Sequence, residues 1–244
     1  MKLKKVLVAM LAVAMTVSVV PAVAFADTDE DTAIVEVADA KAENPAKLGS
    51  SSASTDCGKN LKWAVSGGTL VISGSGAMYN YSYQSGKQAP WLVKYGSKIT
   101  SIQFSGNITS IGSYAFYNLK GLGAVTIPAS VTSIGTGAFS YSSVTKISGG
   151  SGVKTIGKRA FKKTAKLTSF SISSKKLSKI GSYAFQSSAV KTVKITKTTK
   201  LTKKGVKKSL KKSSVKTVDV KGSKKIVYKF YFSKANSGRS VKVK

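Results

Sequence analysis

The chain has 244 residues, 40 of them lysine or arginine and nine aspartate or glutamate, so its formal net charge is +31. It contains no histidine and a single cysteine, Cys57. Because only one carboxylate follows Asp56, we expect no carboxylate pair for acid–base chemistry and no metal-ligand cluster in the folded body, and one cysteine excludes an intrachain disulfide. We therefore predict a non-catalytic protein without cofactor or metal, in which Cys57 is a small buried residue rather than a reactive thiol.

Residues 1–26 have the three parts of a secretory signal peptide. Three lysines among the first five residues precede an apolar run over residues 6–20, and Ala24 and Ala26 form a cleavage motif. We predict cleavage after Ala26 and export; an uncleaved membrane anchor is the alternative. No later stretch is apolar over the length that a bilayer requires, so we expect no transmembrane segment after cleavage.

Residues 27–56 hold eight of the nine carboxylates and have no sustained apolar period. This composition, acidic and then rich in serine, predicts a flexible linker. The alternative is that the segment folds back on the basic body as an electrostatic shield, although salt screens such exposed charges strongly.

Residues 57–98 begin with the pattern of a β-hairpin. Apolar residues alternate from Leu61 to Val65, Gly67 and Gly68 supply a turn, and alternation resumes at Leu70. An aromatic-rich stretch follows: Tyr79, Tyr81, Tyr83, Trp91 and Tyr95. We predict that this segment caps the open end of a stack of repeats; stacking of its rings on sugars is the alternative.

Four copies of Ile-Gly-x-x-Ala-Phe follow, and they begin at Ile111, Ile134, Ile156 and Ile180, 23, 22 and 24 residues apart. Such a period indicates stacked supersecondary units that cover one another's apolar faces. Apolar residues at offsets 0, 3, 5, 9 and 12 extend the repeat over residues 99–200. Residues 201–244 are predicted to be a degenerate last repeat and a basic C-terminal cap.

Each repeat divides into a short strand at offsets 0 to 5 and a return segment that contains Ile-Gly-x-x-Ala-Phe. We expect the return segment to form a helical or 3-10-like turn in which phenylalanine fills the core and alanine permits close approach of the coils. Glycine is expected where no Cβ is tolerated.

The stretch ITSIGSYAFYNLKGLGAVTIPASVTSIGTGAF resembles the BspA-type leucine-rich repeats of bacterial surface proteins. The resemblance covers residues 57–220 and departs from the pattern where Ser209-Leu210 replaces Ala-Phe. It implies a repeat solenoid, and we expect a right-handed leucine-rich-repeat coil. The short-strand parallel sheet would form the concave face, the turns would lie opposite, and the N-terminal β-hairpin would cap it. It also implies a secreted or cell-surface protein that acts in adhesion.

Side chains at offsets 2 and 4 of the predicted strands point away from the core, and they form a ribbon rich in hydroxyl groups. We name as concave-face binding candidates Ser101, Gln103, Thr126, Lys146, Ser148, Ser169, Ser171, Thr192, Lys194 and Thr217. Without a large aromatic anchor, this ribbon suits an extended polymer or peptide rather than a tight protein partner. A merely solvated sheet is the alternative.

Two basic clusters are expected on the convex and flanking side of the C-terminal half, where almost no acidic residue is available to neutralise them. These polyanion-binding candidates are Lys158, Arg159, Lys162, Lys163, Lys166, Lys203, Lys204, Lys207, Lys208, Lys211 and Lys212. We interpret them as an anion-binding surface; a solvated charged face is the alternative.

Together these patterns predict an exported binding protein that is held on polyanions. The expected partners are anionic wall polymers or acidic glycans, with host or neighbouring-cell surface proteins as further candidates. Export argues against nucleic acid as a physiological partner. The alternative function is a structural wall-associated protein with no specific ligand.

Overall fold

A computed structural model describes residues 55–196, 200–221 and 225–244, and all of them fall within one compact unit. The predicted signal peptide and residues 27–54 of the predicted linker lie outside the described residues. Within the described ranges, no helix is long and apolar enough to cross a membrane.

The N-terminal part contains strands β1 (Asp56–Gly58), β2 (Leu61–Ser66) and β3 (Thr69–Ala77), helix α1 (Pro90–Tyr95) and the long strand β4 (Ser101–Ile111). The repeats then contribute seven strands: β5 (Val125–Ile127), β6 (Ser133–Ile134), β7 (Lys146–Gly149), β8 (Thr155–Ile156), β9 (Ser169–Ile172), β10 (Lys179–Ile180) and β11 (Thr192–Thr196). A 3-10 turn (Lys204–Val206), β12 (Thr217–Lys221), helices α2 (Lys225–Tyr231) and α3 (Lys234–Ser237), and β13 (Lys242–Val243) complete the described chain.

The strands form two sheets, because each repeat supplies one strand to each. One sheet has the order β1-β2-β3-β4-β6-β8-β10, and the other has the order β13-β12-β11-β9-β7-β5. Neighbouring strands of the second sheet are all parallel. The described chain therefore has a leucine-rich-repeat fold with mainly parallel strands and few helices, as the sequence predicts.

The predicted hairpin is present. β2 and β3 pair antiparallel, with Trp63 opposite Ile72. Gly67 and Gly68 have φ values of 53° and 78°, and positive φ at both central residues matches the twist of the flanking strands. β1 begins at Asp56, so the last residue of the predicted linker already belongs to a strand.

The first repeat departs from the expected pattern. β4 stays extended and pairs in parallel with β3 over almost its whole length, including Gly106 opposite Gly74. In the next repeat Pro128 follows β5 directly, and a proline has no N–H to continue a ladder. Because β4 pairs with β3, Ser101 and Gln103 lie in the seven-stranded sheet and not beside the other ribbon candidates. Their predicted place on the hydroxyl ribbon is therefore wrong.

The motif phenylalanines fill the core, as predicted, and their rings form one continuous column there. Phe116, Phe139, Phe161 and Phe185 are fully buried. Successive ring centroids lie 5.1, 5.4 and 5.6 Å apart, a spacing at which aromatic pairs add about 0.5–1.5 kcal/mol beyond burial. Leu210 occupies the equivalent place in the degenerate repeat and is also fully buried.

The motif glycines mark the places where successive coils touch. A Cβ on Gly135 would lie 2.5 Å from Ser113 N, and one on Gly157 would lie 2.6 Å from Gly135 C. Real Cβ atoms do not approach backbone atoms this closely. The expectation that glycine stands where no Cβ is tolerated is therefore confirmed.

The eight residues that start at each motif glycine form what we call the turn segments: 112–119, 135–142, 157–164 and 181–188. They contain i to i+3 hydrogen bonds, such as Ser140 N–H to Gly137 O at 2.9 Å. The second x of the motif has a positive φ in each copy, for instance 52° at Tyr114 and 55° at Arg159. These left-handed residues interrupt the helical path, so the segments are turns and not helices.

Alternate backbone N–H groups of each turn segment donate hydrogen bonds to carbonyl oxygens of the next coil. Phe116 N–H donates to Ala138 O, and Phe139 N–H donates to Ala160 O, both at 2.8 Å. The turn segments are thus joined by a backbone ladder of their own, which keeps equivalent positions of successive repeats in register.

We predict that Gly157→Ala is destabilising by about 1–3 kcal/mol, the usual cost of forcing extra atoms into a packed contact. Gly123→Ala is the matched control, because its Cβ would meet no atom closer than 3.5 Å. The free energies of unfolding in urea should separate the two variants. Equal stability would contradict the contact at Gly157.

Candidate binding surfaces

Eight of the ten ribbon candidates lie together on the second sheet. Thr126 stands beside Ser148, Lys146 beside Ser169, and Thr192 beside Thr217 in the strand registers. Lys194 lies between Ser171 and Asp219. Ser101 and Gln103 are separated from the other eight, as described above.

The ribbon surface is polar and shallow. Thr126 Oγ1 and Ser148 Oγ lie 3.3 Å apart, within hydrogen-bonding range. Thr126, Ser169 and Lys194 are exposed. Such a surface offers hydroxyl groups at regular intervals along the stack and suits an extended ligand better than a compact one.

The sixth strand of this sheet comes from the C-terminus. β13 pairs in parallel with β12, which places exposed Lys242 beside Thr217. Sequence reasoning missed this strand, because two residues give no detectable period. The alternation in SVKVK at the end of the chain was the only available signal.

The first basic cluster lies on a turn segment and the residues after it. Lys158, Lys163 and Lys166 are exposed and Arg159 is half-buried. Lys163 Nζ lies 5.0 Å from the ring centroid of Tyr141, where the negative face of the ring attracts a cation.

Lys162 departs from the prediction of a surface cluster, because its side chain is only 5 % exposed. It follows the core residue Phe161, and the equivalent residues Ser140 and Gln186 are buried as well. This position therefore faces inward in these three copies, whereas its equivalent in the first copy, Tyr117, is half-buried. The Lys162 ammonium lies 5.8 Å from the ring centroid of Tyr141.

The second basic cluster surrounds the 3-10 turn. Buried Val206 and Leu210 anchor the segment to the core, and Lys211 is half-buried. The exposed members are Lys203, Lys204, Lys207, Lys208 and Lys212. The segment contains a short 3-10 turn (Lys204–Val206) rather than a regular helix.

Tyr183 connects the two basic clusters. The Arg159 guanidinium lies 5.8 Å from the Tyr183 ring centroid, and Lys211 Nζ lies 5.4 Å from it. The inter-coil ladder places Arg159 before this coil and Lys208 after it, since Arg159 N–H donates to Ser182 O and Tyr183 N–H to Lys208 O. The clusters therefore flank one coil and form a continuous basic surface.

Three further lysines that were not among the predicted clusters lie together at a shallow depression. Lys154, Lys176 and Lys200 line it with Ser178. Ser178 Oγ donates to Lys154 O at 3.2 Å. Lys154 and Ser178 occupy equivalent positions of successive repeats, two residues before Ile156 and Ile180.

Cys57 is fully buried. Burial, and then the nearby charge of Asp56, raises the pKa of its thiol to about 12. Because the thiolate is the reactive form, this environment fits the predicted small buried residue rather than a nucleophile.

The family model described as "BspA type Leucine rich repeat region" matches residues 94–212 in six copies. A search of the curated proteins found no match.

Among solved structures, a leucine-rich repeat protein from Eubacterium ventriosum is 27 % identical with a TM-score of 0.57, and the match covers 69 % of this chain and 44 % of that one. This chain thus spans less than half of that relative. A leucine-rich repeat protein from Bacteroides ovatus is 14 % identical, with coverage of 76 % of both chains and a TM-score of 0.32. The pneumococcal vaccine antigen PcpA is 16 % identical, with coverage of 66 % of this chain and 63 % of that one and a TM-score of 0.26.

The thiol of Cys57 and the hydroxyl of Tyr81, both in the N-terminal part, predict a loss of stability at high pH. Burial raises the pKa of the Tyr81 hydroxyl above its usual value, and the neighbouring Cys57 adds to the shift. A group whose folded-state pKa is raised contributes stability below its unfolded pKa and loses it as the pH rises toward the folded value. Stability should therefore fall from about pH 9, the unshifted pKa of Cys57, to about pH 12.

We expect the double variant Cys57→Ala with Tyr81→Phe to lose stability less steeply, since each titrating group contributes up to about 1.4 kcal/mol per pH unit. Melting temperatures at pH 7, 9 and 11 would measure both slopes. Parallel curves for parent and variant would show that these two groups do not titrate on unfolding.

Proposed function

We propose that the protein, whose residues 94–212 match the BspA-type leucine-rich repeat model, is an exported, non-catalytic binding protein retained on polyanions. It would act in surface adhesion by binding anionic wall polymers or acidic glycans. The continuous basic surface around Tyr183 is the observation that carries this proposal.

The charge distribution supports an anionic partner. After Asp56 the chain contains one carboxylate, Asp219, which lies on the ribbon and not on the turn segments. Asp56 itself forms an ion pair with Lys62. With so few internal counter-charges, the basic side chains create a field that attracts polyanions and depends strongly on salt.

The ribbon offers a second surface with different chemistry. Its hydroxyl groups and scattered lysines suit an extended polymer or peptide, including a segment of a host or neighbouring-cell surface protein. Binding there would depend on hydrogen bonds and would resist salt more than binding at the lysine clusters.

Several features of the architecture belong to the same proposal. We propose a right-handed coil with the six-stranded sheet as its concave face. Residues 57–98, which contain the hairpin, would cap the first repeat, and the 2.8 Å hydrogen bond from buried Trp91 Nε1 of α1 to Ala115 O supports this. At the other end, residues 201–244 would form a degenerate last repeat and a basic C-terminal cap, which is supported by the 2.9 Å hydrogen bond from Tyr183 N–H of the preceding coil to Lys208 O. The signal peptide, removed after Ala26, would deliver the chain to the cell surface or the medium.

The second candidate function is a structural wall-associated protein with no specific ligand. In that case the lysines would act only through the total charge, and their positions would not matter. A comparison of two lysine sets separates this candidate from localised binding.

We expect Lys203, Lys204, Lys207 and Lys208, changed together to Gln, to weaken binding to teichoic acid or heparin and to flatten its salt dependence. The matched control changes Lys59, Lys87, Lys94 and Lys98 to Gln, which removes the same charge from the N-terminal part, where all four are exposed. Because counterion release scales with the number of neutralised contacts, the cluster variant should lose about tenfold or more in affinity at low salt.

Retention on immobilised ligand across a salt series would measure both variants. A third variant, Ser169→Ala with Ser171→Ala and Thr192→Val, tests the ribbon and should leave polyanion retention unchanged. Equal losses from the two lysine sets would favour the structural candidate and contradict a localised site.

A further inference from the structure

Four tyrosines form a continuous contact chain beside the basic surface. We call Tyr83, Tyr114, Tyr117 and Tyr141 the tyrosine strip. The ring centroids of Tyr83 and Tyr114 lie 5.5 Å apart, those of Tyr114 and Tyr117 lie 5.9 Å apart, and those of Tyr117 and Tyr141 lie 5.5 Å apart. Since the last pair belongs to successive turn segments, the strip runs along the stack of coils.

The strip is accessible from solvent. Tyr83 is 55 % exposed, and the other three rings are half-buried. Rings that served only the core would be covered, as the motif phenylalanines are. Here each ring packs on its neighbour and remains partly exposed to solvent.

The absence of a side chain at Gly137 leaves room for the ring of Tyr114. A Cβ on Gly137, which is the equivalent of Tyr114 in the next coil, would come within 2.7 Å of Tyr114 Cδ1. Tyr114 and Tyr141 themselves have φ values of 52° and 61°, a region that bulky residues rarely occupy. The chain thus keeps large rings where glycine would be less strained.

The strip ends in cations. Lys163 Nζ lies 5.0 Å from the Tyr141 ring centroid, and the charge of Arg159 acts on the Tyr114 hydroxyl. The aromatic faces of the first two turn segments are therefore followed by positive charges on the third, at the boundary with the basic surface.

We propose that the tyrosine strip binds an acidic polysaccharide, with sugar rings lying on the tyrosines and anionic groups paired with Lys163 and Arg159. The C–H bonds of a pyranose face carry partial positive charge and suit the negative face of an aromatic ring. This inference rests on the proposed polyanion function and narrows it, because it requires a polymer with rings and not charge alone.

The surroundings of the strip favour a glycan over a protein. Protein hot spots lie in desolvated pockets with apolar neighbours. Apart from Tyr83, the large exposed apolar residues among the described ones are Val93 and Val227, and neither belongs to a turn segment. The strip is flanked instead by exposed Asn118 and Lys120, and its linear course matches a linear polymer.

The hydroxyl groups of Tyr114 and Tyr117 remain neutral at physiological pH. Burial first, and then neighbouring tyrosines, raises the pKa of both Tyr114 and Tyr117. Neutral hydroxyls can donate hydrogen bonds to carboxylate or sulfate groups and add no repelling negative charge.

The test compares two polyanions, hyaluronan, which has pyranose rings, and inorganic polyphosphate, which has none. We expect Tyr83→Ser with Tyr117→Ser in the full chain to lose about tenfold or more in affinity for hyaluronan, by analogy with the stacking of rings on aromatic side chains. Affinity for polyphosphate should not change. The matched control, Tyr83→Phe with Tyr117→Phe, keeps the rings and should retain most of the hyaluronan affinity.

The outcomes are distinguishable. If the parent binds polyphosphate but not hyaluronan, the strip proposal fails and the polyanion function stands; if it binds neither, both fail. Equal losses for both polymers, or unchanged hyaluronan binding in the serine variant, would also overturn the strip proposal. Tyr83→Ser alone, at the most exposed ring, serves as the second variant if the double variant does not fold, and it should weaken hyaluronan binding in the same direction.

Discussion

The close approach of successive coils at the motif glycines is the constraint on which the rest of the structure depends. At Gly135 and Gly157 the backbone of one coil lies where a Cβ would otherwise stand. This spacing lets amide groups of one turn segment reach the carbonyls of the next, as Phe139 N–H reaches Ala160 O. The same spacing holds the phenylalanine rings in one column. Packing and hydrogen bonding therefore set a single register for the repeats.

A fixed register turns the variable positions of the repeat into columns on the surface. The second x of the motif is tyrosine in the first copy, glycine in the second and arginine in the third, and these residues become neighbours along the stack. A ligand-binding surface can then change with single substitutions while the core stays the same. The turn segments have the same backbone path in the aromatic and in the basic part of this surface, and the two parts differ in the side chains at these variable positions.

Much of this structure could be predicted from the sequence, because the repeated residues are defined by size: phenylalanine fills the core and glycine permits close contact between coils. The period, the burial of phenylalanine, the glycine contacts and the hairpin at Gly67-Gly68 all follow from local patterns. The course of β4 could not be predicted, because it depends on the free edge that β3 offers. Lys162 was placed on the surface because charge suggested exposure, whereas its position in the repeat buries it. The tyrosine strip joins residues from different repeats, and only the register shows that they meet.

The most direct test of the shared register is amide hydrogen exchange in the parent and in Phe139→Ala. Loss of this ring should cost about 3–5 kcal/mol, and in a stack of coupled coils the damage should spread to both neighbours. Exchange should therefore accelerate at the amides of Phe116 and Phe161 as well as in the turn segment of residue 139. Acceleration confined to residues 135–142, with both neighbours fully protected, would contradict the account.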